Sequence, residues 1–383
     1  MTSKKKILIS GAGIAGLLIY IYLDRSKYEV TLIEKGECFR SVGYVITIWN
    51  CGYDLLKRTL LSRGDYAKLF IKLEKTLMLN EATFPKSFYS FRDLGYVVDR
   101  EAFLDMLITE AQKIEGRMLL NTTIAEASKA DEQCFVALST GEKDAYDLVV
   151  ICEGINSPTR DQYFDDIEIL DSGYAVEYAE LERIPALAKE NVIFNINNLT
   201  GVIMTSPGSA ITAHFFLTTE PDYLARRDSM RKDLETMLVQ VYGTECRPIY
   251  RDNAKVFRLK EIRVPHSCAG RMVLLGDAAH GRLPVLGLGT TFATEDAFFF
   301  AELLNQLKST EWKRVEKLIG EFSQVRKKRV EKLYVLQDIV IKNSLPRTGR
   351  LRKARGRLAK YVLNLFNLEA SRIFILLLKR AIT

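Results

Sequence analysis

Three glycines, at positions 11, 13 and 16, have the spacing that can bind an anionic phosphate. They follow the short apolar run Lys6–Ile9, expected to form a buried strand, and precede the uncharged run Leu17–Leu23, expected to continue a helix. Gly11 would permit the tight turn, Gly13 would let the backbone approach a pyrophosphate, and Gly16 would let the helix pack on its strand. The free N–H groups at the start of that helix would then face the anion.

The same segment has a second interpretation as an export signal. Lys4–Lys6 followed by an apolar run has that layout, although the run is short for a membrane-spanning helix and its glycines weaken a helix. The residues that follow favour the nucleotide interpretation. Tyr28–Ile33 reads as a second strand, and Glu34 ends it, where a ribose needs an acceptor. The sequence therefore predicts a βαβ nucleotide-binding unit.

Two later segments repeat the pattern of a strand that ends in glycine and an acid. Asp147–Cys152 leads into Glu153-Gly154, and Arg271–Leu275 leads into Gly276-Asp277. Asp277 could accept hydrogen bonds from a ribitol or ribose hydroxyl. The turn at 287–289, which Pro284 stiffens, opens the expected helix 292–307, whose N–H groups can face a phosphate or a carbonyl oxygen.

These segments, in this order and spacing, resemble the class A flavoprotein monooxygenases, the para-hydroxybenzoate hydroxylase-like family. A fourth match, Val97–Leu104, is similar to the family's helix start, whose arginine contacts FAD and maps onto Arg100. The resemblance covers roughly residues 5–60, 95–165 and 265–310 and implies FAD as cofactor with NADPH or NADH as co-substrate. It assigns cofactor binding to Gly11, Ala12, Gly13, Ile14, Ala15, Gly16, Glu34, Lys35, Arg40, Gly43, Arg100, Glu153, Gly154, Gly276, Asp277, Pro284, Gly287, Leu288, Gly289 and Thr290.

The sequence departs from the family pattern at two positions. The middle motif usually reads Ala-Asp-Gly, but here it is Cys152-Glu153-Gly154. The late motif often carries a glutamine where this chain has Leu288. FAD binding should survive both changes because it depends mainly on backbone groups.

The expected fold is α/β. A Rossmann-type, glutathione-reductase-like FAD-binding domain (1–66, 95–165 and 263–320) is interleaved with an antiparallel-sheet substrate domain (67–94 and 166–262), and C-terminal helices with a basic tail follow (321–383). We identify no catalytic acid or base. Six side chains of the substrate domain either line an apolar cavity over the flavin or form ordinary sheet core: Tyr174, Tyr178, Phe194, Met204, His214 and Phe216.

The composition limits the cellular compartment and the classes of partner that we expect for this protein. With no C-x-x-C spacing among six cysteines and only three histidines, we expect reduced thiols in a cytoplasmic protein and no metal site. The net charge of +7 comes from the tail, where residues 342–383 hold eleven Lys and Arg against one acid. That tail either contacts an anionic membrane peripherally or packs on the FAD domain. Sparse aromatic interleaving argues against nucleic acid.

By resemblance, the function is oxygenation or hydroxylation of a hydrophobic, aromatic or polyketide-like molecule. NADPH or NADH would reduce the flavin, O2 would form a flavin C4a-hydroperoxide, and one oxygen atom would pass to the substrate. Two alternatives remain open at this stage. One is a prenyl-lipid-type FAD reductase, and the other is a membrane-associated flavoprotein in which FAD is structural.

Overall fold

The computed structural model describes residues 4–39, 45–80, 89–91, 95–130, 132–196, 199–206, 210–219, 223–251 and 254–344. Arg40, Gly43 and the basic tail beyond residue 344 lie outside the described residues. The described helices are α1 (Ile14–Tyr22), α2 (Asn50–Thr59), α3 (Arg100–Gln112), α4 (Pro158–Tyr163), α5 (Tyr223–Tyr242), α6 (Asp277–His280), α7 (Gly289–Gln306) and α8 (Val315–Ser344).

The strands of the described residues, in chain order, are β1 (Lys5–Ser10), β2 (Tyr28–Ile33), β3 (Val45–Trp49), β4 (Ile71–Lys72), β5 (Lys75–Asn80), β6 (Tyr89–Phe91), β7 (Gly95–Asp99), β8 (Arg117–Leu119), β9 (Ile124–Ala130), β10 (Gln133–Leu138), β11 (Lys143–Tyr146), β12 (Leu148–Ile151), β13 (Glu168–Leu181), β14 (Glu190–Ile196), β15 (Leu199–Thr205), β16 (Ala210–Leu217), β17 (Lys255–Arg263), β18 (Cys268–Ala269) and β19 (Met272–Leu274).

A six-stranded sheet carries the predicted nucleotide-binding strands. Its order is β18-β19-β12-β1-β2-β8, and all neighbours are parallel except β18, which is antiparallel to β19. Every residue of β12 and the centre of β1 are fully buried, as expected of parallel strands covered on both faces. Because parallel strands end at the same edge, the segments after β1, β2, β12 and β19 meet there.

A seven-stranded sheet forms the second large layer, in the order β17-β13-β16-β15-β14-β5-β6. Its pairs are antiparallel except β14 with β5. Helix α5 covers one face through an apolar cluster that includes Phe216, Tyr223 and Leu234. The predicted mixture of a Rossmann-type unit and an antiparallel sheet is therefore confirmed.

Two small sheets complete the described fold. Strands β11-β10-β9 form one, and β3-β7-β4 form the other. The region 67–94 thus contributes to two sheets, since β4 pairs with β7 while β5 and β6 join the seven-stranded sheet. The domain boundaries stay a prediction. In the part of the chain that is described, no helix is both long and apolar enough to cross a membrane.

Candidate cofactor site

The loop between β1 and α1 uses its three glycines for different purposes. Gly11 has a φ of +100°, and a Cβ there would lie 2.5 Å from the carbonyl oxygen of Cys152. A Cβ on Gly16 would lie 1.9 Å from the Gly11 oxygen. A Cβ on Gly13, by contrast, would meet no described atom within 4 Å. The protein's own packing therefore requires two of the glycines, and the third borders open space.

That open space lies at the N-terminus of α1. Gly13 is the N-cap, no described side chain caps the helix, and its first turn contains no acid. The first N–H groups of a helix have no intrahelical acceptor and carry partial positive charge. The start of the helix therefore has the free N–H groups that an anion site requires, and anion binding there stays a prediction.

Glu34 is fixed by two backbone N–H groups where β2 ends. Its Oε2 accepts from Ala12 at 2.8 Å, and its Oε1 accepts from Gly36 at 2.9 Å. Each carboxylate oxygen has further acceptor capacity. The side chain is therefore held beside the glycine loop with lone pairs left for hydroxyl groups. Lys35, the next residue, is exposed.

Arg100 and Asp277 come from distant parts of the chain and interact electrostatically. Arg100 opens α3, which Asp99 caps by accepting from Ala102 N–H at 3.1 Å. Burial lowers the Arg100 pKa, and Asp277 opposes that shift. The surrounding protein raises the Asp277 pKa, while His280 and Arg100 lower it. Asp277 is nevertheless exposed to solvent.

Helix α6 joins this arrangement to both glycine turns. Gly276 has a φ of +62°, and a Cβ there would lie 3.1 Å from the Cβ of Ala15 on α1. A Cβ on Gly289, the first residue of α7, would lie 3.5 Å from Asp277 Oδ1. The start of α1, Asp277 and the start of α7 therefore lie side by side.

The turn before α7 is held by β3. Gly287 adopts the left-handed conformation, and a Cβ there would lie 1.8 Å from Thr47 Oγ1. Thr47 donates to Gly287 O at 3.3 Å, and Trp49 donates its indole N–H to Leu286 O at 3.0 Å. No described side chain caps α7. Pro284 is exposed at the preceding 3-10 turn, and Thr290 is half-buried.

Leu288, where the sequence departs from the family, packs its side chain in a core cluster. It is buried with Trp49, Phe292 and Tyr334. Any contribution of this residue to the site therefore comes from its backbone. The loss of a polar side chain is compensated by apolar packing that fixes the turn.

Glu153, the other departure, is a structural clamp. Its Oε1 accepts from Ser10 Oγ at 2.5 Å and Thr159 Oγ1 at 2.7 Å, and its Oε2 accepts from Ser157 Oγ at 2.6 Å and Thr159 N–H at 3.2 Å. The carboxylate thus ties β1 to α4. Gly154 follows at a φ of +78° with open space at its missing Cβ.

A buried ionic network behind α6 was not predicted from sequence. Asp296 Oδ2 accepts from Gly276 N–H at 2.8 Å and lies 3.0 Å from His280 Nε2, while its Oδ1 accepts from Arg326 Nε at 2.7 Å. Glu295 binds Arg326 at 2.8 Å and Arg329 at 2.6 Å. Adjacent acids on α7 and arginines three apart on α8 were the available signal. His280 is accordingly a packed residue of this network.

Burial alone would raise the pKa values of these two acids, but the neighbouring cations reverse the effect. His280 and Arg326 hold the pKa of Asp296 well below its ordinary value. Arg326 and Arg329 lower the pKa of Glu295. Both carboxylates are therefore ionised inside the protein, and α8 is clamped to α7 next to the turn that carries Asp277.

The sheet register divides the six candidates for a substrate cavity into two groups. Tyr174, Tyr178 and Met204 lie on the face that packs with Val45 and Val285, next to the segments described above. Phe194, His214 and Phe216 lie on the opposite face. Phe194 and Phe216 belong to the cluster beneath α5, and His214 contacts both Tyr223 of α5 and the Phe194 ring.

For Phe194, His214 and Phe216 the sheet-core alternative therefore applies. Side chains alternate between the faces of a strand, so the residues of β16 that face Val45 and Val285 are Ile211, Ala213 and Phe215. We call Tyr174, Tyr178, Val202, Met204 and Phe215 the apolar wall.

The predicted residues brought together at the sheet edge fit a dinucleotide such as FAD. Two helix N-termini without side-chain caps and the open space at Gly13 suit phosphate oxygens. The carboxylates of Glu34 and Asp277 suit hydroxyl groups, and Arg100 supplies a cation.

Comparison with known proteins supports this cofactor. The sequence profile of a family described as "FAD binding domain" matches residues 101–335. An FAD-dependent monooxygenase of Emericella variicolor is 24% identical over 377 residues, covering 86% of this chain and 78% of the relative. The 2-heptyl-3-hydroxy-4(1H)-quinolone synthase of Pseudomonas aeruginosa (strain UCBPP-PA14) is 25% identical over 348 residues. The match covers 85% of this chain and 86% of the synthase.

Solved structures share the fold. A salicylate hydroxylase in complex with substrate superposes with a TM-score of 0.77 at 17% identity, covering 98% of both chains. CtdE in complex with FAD and a substrate superposes with a TM-score of 0.72 at 19% identity, covering 97% of this chain and 99% of CtdE. Because the family profile spans more than half of the 383 residues, the chain belongs to the FAD-binding domain family, as an FAD-dependent enzyme of the class A flavoprotein monooxygenases that its motifs indicated.

Proposed function

We propose that this enzyme uses NADPH or NADH and O2 to oxygenate a hydrophobic, aromatic or polyketide-like small molecule. The observation that carries the proposal is the position of the apolar wall. It packs towards Val285, which lies between Pro284 and the α7 turn, and Asp277 lies beside that helix start. An apolar substrate bound there would lie next to the cofactor residues.

In this proposal the cofactor is held mainly by groups that the fold fixes in advance. The glycine loop and the α1 amides bind the pyrophosphate, and Glu34 accepts from the adenosine ribose. Asp277 would hold the ribitol, with Arg100 as a nearby cation, and the backbone of 287–290 would contribute to the flavin site. When bound, FAD supplies the redox chemistry between the reduced nicotinamide and O2.

The protein's contribution on the substrate side is position and exclusion of water. The apolar wall offers two tyrosine rings, a methionine and a phenylalanine, which suit a flat apolar molecule. Two relatives agree with this class. One is named for the synthesis of a heptyl-hydroxyquinolone, and the other, PqsL, has been solved in complex with 2-aminobenzoylacetate. We assign no catalytic acid or base.

Labelled oxygen tests the reaction directly. FAD-loaded protein is incubated with NADPH or NADH, 18O2 and a panel of aromatic ketones, phenols and quinolones, and products are analysed by mass spectrometry. We expect a product that contains one labelled oxygen atom and requires the nicotinamide. Reduction of a substrate double bond without oxygen would contradict the proposal and support a reductase.

A variant pair links that activity to the proposed cofactor contacts. Asp277→Ala should purify with little FAD, whereas Asp105→Ala, which changes an exposed acid on α3, should retain it. The flavin-to-protein absorbance ratio measures both. A fully flavinated Asp277→Ala protein would show that the late motif does not bind the cofactor as proposed.

A further inference from the structure

A cavity of about 460 Å³ lies beside α6. Helix α8, the end of β17 and the segment after β19 enclose it, and Ala279 and His280 of α6 form part of its wall. None of the residues proposed to bind FAD lines it. The volume is in the range of small-molecule sites.

Two buried residues that line this cavity, Arg326 and Ser323, each have a side-chain donor without an acceptor among the described residues. His280 Nε2 likewise has no hydrogen-bond partner in the described part of the chain, but it lies 3.0 Å from Asp296 Oδ2. Arg326 is 4% exposed, and its Nε and Nη1 bind Asp296 and Glu295, but its Nη2 has no hydrogen-bond partner among the described residues. Ser323 is 7% exposed, one turn earlier on α8, and its hydroxyl likewise has none. Buried donors are normally satisfied, so these two atoms are available to an acceptor on a bound molecule.

The rest of the wall is mixed, with apolar side chains beside charged ones, and each of its lysine and arginine side chains already has a carboxylate partner. Ile262, Leu274, Phe322 and Val330 supply aliphatic and aromatic surface. At the rim, Arg282 binds Glu261 at 3.3 Å and Asp338 at 3.1 Å, and Arg263 binds Glu168 at 3.3 Å.

The buried network is also neutral as a unit. Glu295 and Asp296 balance Arg326 and Arg329. A carboxylate ligand would add a charge that no free cation here offsets, whereas a neutral acceptor would satisfy both donors without disturbing the pairs.

We propose that this cavity is a second binding site, for an uncharged molecule with an apolar part that carries a carbonyl or similar acceptor oxygen. Arg326 Nη2 and Ser323 Oγ donate to that oxygen, and the apolar body fills the space against Phe322 and Val330. The site does not depend on the proposed reaction, because it is built from different residues.

The site is coupled to the cofactor turn through α6. His280 and Asp296 both line the cavity, and Asp296 holds the Gly276 N–H that precedes Asp277. A ligand that packs against His280 and Asp296 requires the turn at Gly276 and Asp277 to be folded. Its binding therefore raises the temperature at which the protein releases FAD.

Matched probes test the ligand class. FAD-loaded full-length protein, without nicotinamide, is titrated with 2-acetylnaphthalene and with 2-naphthoate by ligand-observed NMR. These molecules share the ring and a carbonyl, but only the second is charged. We expect saturable binding of the ketone and at least tenfold weaker binding of the carboxylate. No saturable binding of the ketone, or equal binding of the two, would overturn the proposal.

Variants locate the binding. Ser323→Ala should weaken binding of the ketone about two- to tenfold, since it removes one hydrogen bond. Val330→Trp should abolish binding by filling the cavity, and Ser323→Leu is the second filling variant if Val330→Trp loses FAD. Met204→Trp is the control: it enlarges a side chain of the apolar wall, outside this cavity, and should leave ketone binding intact. Binding that survives both filling variants, or is lost in Met204→Trp, would place the ketone elsewhere and refute the site.

Discussion

Asp296 on α7 accepts the Gly276 N–H at 2.8 Å, so a fully buried carboxylate fixes the turn that presents Asp277. Gly276 has a positive φ, which a residue with a side chain rarely adopts. The turn is therefore held by both its backbone geometry and an ion network. Arg326 keeps that network neutral, because it binds Asp296 and Glu295 at once.

Removing Arg326 should unfold much of this arrangement. Arg326→Met leaves Glu295 and Asp296 buried with less cationic charge, and we expect a loss of about 3–5 kcal/mol in the free energy of unfolding. FAD content should fall as well, because the turn carrying Asp277 loses its support. Denaturant unfolding and the flavin absorbance ratio measure the two effects.

The control is Lys328→Met, which removes an exposed cation on the same helix. It should change the free energy of unfolding by no more than about 0.5 kcal/mol. Equal stability of Arg326→Met and Lys328→Met would mean that the network does not hold α8 on α7.

The glycine loop offers a pair of substitutions with opposite expected readouts. Gly13→Ala places a methyl group in open space at an ordinary φ of −75°, so the apoprotein should fold with nearly unchanged stability but bind FAD poorly. Gly16→Ala places a Cβ 1.9 Å from the Gly11 oxygen, so the apoprotein itself should be destabilised. Thermal unfolding of apoprotein and FAD titration separate them. Full FAD affinity in Gly13→Ala would contradict the pyrophosphate position.

The parts of this site that the sequence predicted are those encoded locally. The glycine loop, β1, α1, β2 and Glu34 follow one another in the chain, so their spacing gives a short-range signal. Two hydrogen-bond partners of Glu153 are also close in sequence, since Ser157 and Thr159 follow it within six residues. The third partner, Ser10, is distant in the chain, and a glutamate at position 153 gives no signal for it.

The residues that the sequence did not predict depend on register and long-range packing. His214 and Phe215 are neighbours, yet they face opposite sides of the sheet, and only the pairing of β16 with β13 and β15 decides which side each takes. Likewise, Asp296 and Arg326 are thirty positions apart and meet only because α8 packs on α7. Neither relationship has a short-range signal.

Shortening Glu153 tests whether the clamp explains this departure from the family motif. Glu153→Asp restores the more common residue but cannot reach Ser10 and Thr159 together, so we expect the apoprotein to lose about 1–3 kcal/mol in unfolding free energy. Glu153→Gln keeps the length and should lose less. Denaturant unfolding of both variants gives the comparison, and an Asp variant as stable as the wild type would refute the clamp.

His214 should make stability depend on pH. It is 1% exposed, and burial together with Arg231 and Arg227 lowers its pKa from 6.5 to about 3. The unfolded chain therefore binds a proton below pH 6.5 that the folded protein refuses, so stability falls as the pH decreases from 6.5 towards 3 and is unaffected by this group above 6.5. The slope contributed by His214 is about half of 1.4 kcal/mol per pH unit at pH 6.5 and approaches the full value at lower pH.

His214→Asn should remove this slope between pH 6.5 and 5, a range in which Glu295 and Asp296, with their lowered pKa values, stay ionised. Unfolding free energy measured by denaturant titration at several pH values gives the slope for each protein. His266→Asn is the matched control, since His266 is exposed, and should keep the wild-type slope. Identical slopes for wild type and His214→Asn would show that His214 gains its proton inside the folded protein, in conflict with its burial beside two arginines.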